Sequence, residues 1–230
     1  MTPRLPQHLG IIMDGNRRWA KARHLSALEG HRAGYETFKK IADYCYDLKI
    51  KILSIFAFST ENWQRPKAEV NFLMKLLDRG IGENVPDFIK KGVAARFIGS
   101  RENLSAAVCK SMDEAASKTS HGKNGILNIA INYGGHNEIL RAVQKIAAAG
   151  LSPDQISEKT ITDALDTASQ PDPDLIIRTS GEQRLSGFLP WQSVYSELYF
   201  SPKLWPDFTT QDLDAALADY TSRQRRFGGS

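Results

Sequence analysis

The most constraining feature of this chain is the alternation of short, unbroken apolar runs with longer amphipathic stretches. The runs IIM (Ile11 to Met13), ILSIFAF (Ile52 to Phe58) and LNIAI (Leu127 to Ile131) are continuous rather than alternating. Strands buried on both faces carry such runs, and a parallel sheet covered by helices buries its strands in this way. Strands are expected over His8 to Met13, Ile50 to Phe58, Ala94 to Ile98, Ile126 to Asn132, Asp174 to Arg178 and Glu197 to Phe200. Helices are expected over Gly30 to Leu48, Pro66 to Lys90, Arg101 to Thr119, His136 to Ala149, Thr160 to Ala168 and Thr209 to Arg226. This order predicts an α/β fold: one domain over residues 1–230, with a mostly parallel central sheet of about six strands flanked by helices.

Composition removes other classes. With 41% hydrophobic and 24% charged residues, the 230-residue chain is neither disordered nor collagen-like. No apolar run approaches the roughly 20 residues that span a bilayer. The opening MTPRLPQHLG lacks the apolar core of a secretory signal, so a cytoplasmic location is expected. The 30 Lys and Arg against 26 Asp and Glu leave a charge of +4, too small to argue for nucleic acid. It allows an anionic small substrate or an anionic membrane surface. Cys45 and Cys109 have no metal-ligand spacing and are expected to be buried thiols in a reducing compartment.

In open sheets of this kind, ligands bind beyond the carboxyl ends of the strands. Four polar segments follow the expected strands there: DGNRRW (14–19), STENWQR (59–65), NYGG (132–135) and RTSGEQR (178–184). In the first, Gly15, Asn16, Arg17 and Arg18 offer backbone N–H groups and guanidinium forks to an anion. Asp14 would repel a phosphate, but a Mg²⁺ ion between them turns repulsion into a bridge. A helix N-cap and a solvated face explain the same residues. Gly30-His31-Arg32-Ala33-Gly34 is expected to open the next helix with a second phosphate-compatible turn. Arg178 ends a buried strand, with Arg184 and Ser186 close behind, so a second anion clamp is expected there. Glu197, heading the last apolar run, is expected to complete a metal shell. No Walker-type GxxxxGK[ST] loop occurs, which removes the main support for P-loop nucleotide chemistry.

HLGIIMDGNRRWA, GHRAG, FAFSTENWQRP, INYGG, DLIIRTSGEQRLSGFLPWQ and SELYF, in this order, resemble the cis-prenyltransferase family, especially its bacterial undecaprenyl diphosphate synthase branch. The likeness runs from His8 to the closing RRFGG, and the DDxxD motifs of the all-helical trans enzymes are absent. The resemblance implies Mg²⁺-dependent addition of isopentenyl diphosphate to an allylic starter, usually farnesyl diphosphate, with a cis double bond made at each step. By the same resemblance, Asp14 is the catalytic aspartate and a metal ligand, with Glu197 the second metal carboxylate. Gly15, Asn16, Arg17 and Arg18 surround the allylic diphosphate. Trp19, His31, Ser59, Thr60, Glu61, Trp63 and Arg65 are further substrate contacts, and Asn62 takes the proton-acceptor position. An amide is a very weak base, so we expect Asn62 to orient the acceptor rather than be it. Arg178, Arg184, Leu185 and Ser186 form the isopentenyl diphosphate site.

The resemblance further implies an apolar tunnel for the product, transient contact with a membrane surface on release, and a homodimer. Trp191, Tyr195, Tyr199, Phe200 and Trp205 are apolar enough for a dimer interface and equally suited to the core. The chain departs from the family in three places. Arg17 stands where many relatives have Gly, and Ala27 where many have a phosphate-binding Arg, for which Arg23 is a candidate substitute. Tyr35 and Phe38 are bulky where relatives often have smaller residues, which points toward a shorter product. A short-chain synthase, a non-catalytic partner subunit and a general phosphatase are the competing readings; the intact Asp14-Gly15-Asn16 argues against the second.

Overall fold

The computed structural model describes residues 5–223. Its strands are β1 (His8–Ile12), β2 (Ile52–Ser59), β3 (Val93–Ile98), β4 (Gly125–Tyr133), β5 (Leu175–Arg178) and β6 (Glu197–Phe200). Its helices are α1 (Asn16–Ala22), α2 (Ala27–Asp47), α3 (Lys67–Lys91), α4 (Ala106–Thr119), α5 (Gly135–Ala148), α6 (Glu158–Ala164) and α7 (Thr210–Ser222), joined in places by single 3₁₀ turns. The six strands form one sheet in the order β3-β4-β2-β1-β5-β6, and every pairing is parallel. The expected fold class is what forms.

The unbroken apolar runs follow from this burial. Leu9, Ile11, Leu53, Ile55, Leu127, Ile129, Leu175 and Ile177 point to one core with Ile41, Leu73, Trp205 and Leu213. Their neighbours Ile12, Ala130 and Ile176 point to a second, smaller core with Tyr133, Phe188 and Leu189. Successive side chains on a strand face opposite ways, so both sets must be apolar when both faces are covered. Trp205 is fully buried and donates from Nε1 to the Gly34 carbonyl at 2.8 Å, so it is a core residue rather than an interface one. Burial pushes the Cys45 thiol up to about 12, consistent with an inert structural thiol.

Helix starts differ from expectation. α2 begins at Ala27 because Ser26 closes a capping box with Glu29, whose carboxylate accepts the Ser26 N–H at 2.9 Å. α4 begins at Ala106 because Ser105 accepts the Val108 N–H at 3.3 Å. The expected end of the last helix at Arg226, like the RRFGG segment, lies outside the described residues.

From β1 the chain turns toward β2, and from β5 it turns the other way toward β6. The carboxyl ends of β1 and β5 therefore flank a switch point, where a crevice opens.

Candidate active site

Asp14 stands at that crevice. Gly15 has a φ of 110°, and a Cβ on it would lie 2.9 Å from Leu204 Cδ2 and 3.0 Å from Leu204 Cα, so no other residue fits the turn. The Asp14 carbonyl accepts from Trp205 N at 3.0 Å and from Thr179 Oγ1 at 2.6 Å, which pins its backbone from two sides. β1 and β5 pair so that Ile12 faces Arg178. Arg178 Nη2 consequently donates to Asp14 Oδ2 at 2.9 Å, and Arg18 Nη2 lies 3.6 Å from the same oxygen. Burial pushes the Asp14 carboxyl up, but hydrogen bonds from Arg178 and Ser180 and the charges of Arg178 and Arg18 outweigh it. Its pKa falls below the ordinary value, so it is ionised at neutral pH.

The turn after β5 supplies the rest of this edge. The buried Arg178 donates from Nη1 to Ser186 Oγ at 2.8 Å and to the Arg184 carbonyl, while its Nε is buried without a partner. Ser180, Gly181, Ser186 and Gly187 all have left-handed backbones, held in part by Ser180 N donating to the Lys203 carbonyl at 2.6 Å. Arg18 donates to Ser180 Oγ at 2.5 Å, and the exposed Arg184 pairs with Glu182 at 2.5 Å. Arg178 thus meets Ser186 and the Arg184 carbonyl, while the Arg184 guanidinium turns to Glu182 and not to the expected clamp. Leu185 packs on the smaller core beside Phe188.

The facing wall is built on helices. Gly30 to Gly34 lie inside α2, so no phosphate turn forms there, contrary to expectation. The capping box already occupies the helix start, and the glycines serve packing instead. A Cβ on Gly30 would sit 2.2 Å from the Asn16 carbonyl, and one on Gly34 2.2 Å from Asn16 Oδ1. The missing Cβ atoms let α1 press against α2, which brings Asn16 against Gly30 and Gly34 and Arg17 to the acid that His31 meets. His31 is buried, with Nε2 3.0 Å from Glu69 Oε1; Arg65 Nη1 donates to that oxygen at 3.1 Å, and Arg17 Nε lies 3.7 Å from Oε2. Burial lowers the His31 pKa against the raising effect of its Glu69 hydrogen bond. Glu69 was not among the expected site residues; its spacing four after Arg65 is the signal that marks it.

Between the β1–α1 turn and the helix wall lies a polar cleft with about 1560 Å³ of empty space including its opening to solvent, lined by Asp14, Gly15, Asn16, Arg17, Arg18, Lys21, Ala27, His31 and Arg65 among others. Beneath it, between β1, β2, β4 and helices α2 and α3, lies an apolar cavity of about 780 Å³ with its opening included. Phe38, Ile55, Leu73, Leu77, Ile81 and Phe88 line it. Met13, Asn16 and His31 belong to both. Tyr35 also lines the cavity, its hydroxyl accepting from Asn84 Nδ2 at 2.6 Å. A Cβ on Gly80 would lie 2.9 Å from the Tyr35 ring.

Other expected residues are placed differently. Trp19 donates from Nε1 to Asp207 at 2.7 Å and stacks under Arg23 at 4.4 Å, away from the cleft. Arg23 is itself paired with Asp207 at 3.0 Å, so it does not take the place of an arginine at Ala27. In the turn after β2, Ser59 N donates to Asn62 Oδ1 at 3.1 Å and Thr60 Oγ1 to Glu61 at 3.0 Å. Trp63 anchors this turn to β4 by donating to Asn132 Oδ1 at 2.7 Å.

Glu197 starts β6 opposite Leu175, whereas Phe200 lies opposite Arg178. Three residues of rise, about 10 Å, put Glu197 at the other edge of the sheet from Asp14. There it pairs with Arg223 at 2.8 Å, so the two carboxylates form no shared metal shell within one chain. Among the described residues no three His, Cys, Asp or Glu side chains converge on a metal position. The donor chemistry that remains, one ionised carboxylate facing an anion cleft, fits a Mg²⁺ ion that takes its other ligands from substrate phosphates and water.

An anion cleft at the switch point of a parallel sheet, adjoining an apolar cavity, defines an α/β protein suited to ligands with a charged head and a hydrocarbon tail. The family model for undecaprenyl diphosphate synthase matches residues 12–228, and the chain belongs to that family, the cis-prenyltransferases. It is 47% identical to an isoprenyl transferase of Aquifex aeolicus, covering 99% of this chain and 98% of that one. It is 44% identical, with 99% and 98% covered, to a ditrans,polycis-undecaprenyl-diphosphate synthase of Legionella pneumophila described as (2E,6E)-farnesyl-diphosphate specific. The crystal structure of lavandulyl diphosphate synthase from Lavandula x intermedia, in complex with dimethylallyl diphosphate, superposes with a TM-score of 0.94 at 39% identity over 97% of this chain and 98% of that one.

Proposed function

We propose that the protein condenses isopentenyl diphosphate repeatedly onto farnesyl diphosphate to build undecaprenyl diphosphate. The observation that carries this reading is the junction at Met13, Asn16 and His31, where the anion cleft meets the apolar cavity. A prenyl diphosphate has that division, and each CH₂ it buries in the cavity is worth about 0.8 kcal/mol.

In this reading the backbone N–H groups from Gly15 to Arg18, with Arg17, Arg18 and Arg65, hold the allylic diphosphate. Arg178, Arg184 and Ser186 hold isopentenyl diphosphate, and Leu185 shields its carbon end. The allylic C–O bond breaks with its electron pair leaving on diphosphate, where preorganised donors stabilise the growing charge. The double bond of isopentenyl diphosphate attacks the freed carbon, and loss of a proton from the adduct sets the new cis double bond. Asn62 orients the group that takes this proton, and Ser59, Thr60, Glu61 and Trp63 shape the turn that carries it. Mg²⁺, when bound, offsets diphosphate charge beside Asp14. We infer that the activity runs in the cytoplasm, in a homodimer, with brief membrane contact on product release. Among the described residues no helix is long and apolar enough to cross a membrane, and Val194 is 71% exposed, an apolar side chain for a second copy to cover.

The test incubates the purified protein with farnesyl diphosphate, labelled isopentenyl diphosphate and Mg²⁺ and sizes the products. Long polyprenyl products are expected; absence of any extension from several allylic starters sinks the proposal. A shorter cis-prenyl product is the second reading, favoured by the Tyr35 ring lying against Gly80 in the cavity wall.

A further inference from the structure

One buried acid behind the cleft wall has no part in the reaction as described. Glu69, in the first turn of α3, is 5% exposed, and its carboxylate gathers His31, Arg65 and Arg17 from α2, the β2–α3 turn and α1. We propose that Glu69 is a positioning residue for the allylic diphosphate: it holds the guanidinium groups of Arg65 and Arg17 and the His31 imidazole as one preformed wall beside the mouth of the apolar cavity. The inference rests on the prenyl-transfer reading above.

Electrostatics favours it. The two guanidinium groups repel one another, and the half-buried Arg65 and the exposed Arg17 would gain hydration by swinging into solvent. A buried carboxylate at hydrogen-bond distance holds Arg65 back, and the Arg17 pair lies at ion-pair distance. Both His31 and Arg65 engage the same oxygen, so the acid fixes their separation as well as their charge. The His31 contact also selects a tautomer. With Nε2–H donating to Glu69, Nδ1 is the nitrogen with no protein partner among the described residues. Burial keeps the ring neutral in the free protein; a phosphate oxygen arriving beside Nδ1, with Glu69 on the other nitrogen, favours the charged form, so Nδ1 takes a proton on binding and donates to that oxygen. The group thus assembled lies at the head of the tail cavity, since His31 lines both spaces. Groups ordered before the ligand arrives lower the entropic cost of binding it.

The test uses the full chain carrying Glu69→Gln, which keeps the shape and one acceptor but removes the charge. The expected result is a KM for farnesyl diphosphate raised about tenfold, the scale of one charge-assisted hydrogen bond, with kcat and the KM for isopentenyl diphosphate within about twofold of the parent. Glu69→Asp, which keeps the charge, should recover part of the loss. If the Gln variant does not fold, the Asp variant carries the same test with a smaller expected shift. An unchanged farnesyl KM in a folded variant, or equal rises in both KM values, overturns the inference. Calorimetric titration of both proteins with inorganic pyrophosphate separates the two readings. Weaker binding by the Gln variant supports the Glu69 role even if no chain is ever extended, and equal binding by the two proteins overturns it.

Discussion

The two edges of the sheet both bury polar side chains, and they differ in what those groups leave unmade. At the amino edge, His8 Nδ1 donates to the Pro171 carbonyl at 2.7 Å and Nε2 accepts from Ser54 Oγ at 2.7 Å. Ser54 Oγ in turn accepts from Asn128 at 2.9 Å, and Asn128 and Gln170 exchange amide hydrogen bonds. That network is neutral and closed. At the carboxyl edge, Asp14 sits among guanidinium groups, Arg178 Nε and Asn16 Oδ1 have no partner, and Arg17 and Arg18 are largely exposed. Buried polar groups that satisfy one another stabilise a fold, whereas guanidinium donors left over beside a cleft await a ligand.

This contrast predicts that the edges answer mutation differently. Asp14→Ala should lower kcat by about 10³-fold with the melting curve little changed, as for a group acting on transition-state charge. Near-normal turnover removes Asp14 from the mechanism. Arg178→Lys, which loses the fork but keeps the charge, should lower kcat/KM for isopentenyl diphosphate about 100-fold. A comparable loss on Ser54→Ala at the other edge would break the contrast.

Gly30→Ala tests how the helix wall reaches the strand edge. Its Cβ would meet the Asn16 carbonyl at 2.2 Å, so a stability loss of up to about 3 kcal/mol is expected in a denaturant titration, with activity falling as Asn16 shifts. Ser54→Ala should cost about 1 kcal/mol of stability and leave kcat/KM unaltered, since it touches only the closed network.

The smallest effect is in pH. Burial lowers the His8 pKa in the folded state, against the raising influence of Pro171 and Asp174. The unfolded chain therefore binds the proton more readily. The stability that neutral His8 contributes is complete above about pH 6.5 and is lost as pH falls below it. Thermal melts of the parent and of His8→Gln should converge toward lower pH; parallel curves would show that His8 does not contribute. His31, also lowered, acts with the same sign from the carboxyl edge.

Much of the fold is legible because its signals are local. Continuous apolar runs mark doubly buried strands, and Arg178 ends one of them and donates to Asp14. The Ser26-x-x-Glu29 spacing is an equally local signal, and it starts the helix at Ala27, three residues before the expected Gly30. Gly30 and Gly34 answer to Asn16, a contact no local pattern reveals. Glu69 stayed hidden for a related reason. On a charged first turn it resembles a surface acid, and only the packing of α1 and α2 over it makes it the hub of three basic side chains.

By itself the sequence determined the alternation of elements, the parallel sheet, and the polar segments that follow its strands, because side-chain period and turn chemistry act over a few residues. Tertiary structure alone decided strand order and register. That choice put Arg178 against Asp14, moved Glu197 to the far edge, and turned Trp19 and Arg23 toward Asp207. Such pairings depend on which surfaces exclude water together, a property of the assembled core and not of any one segment.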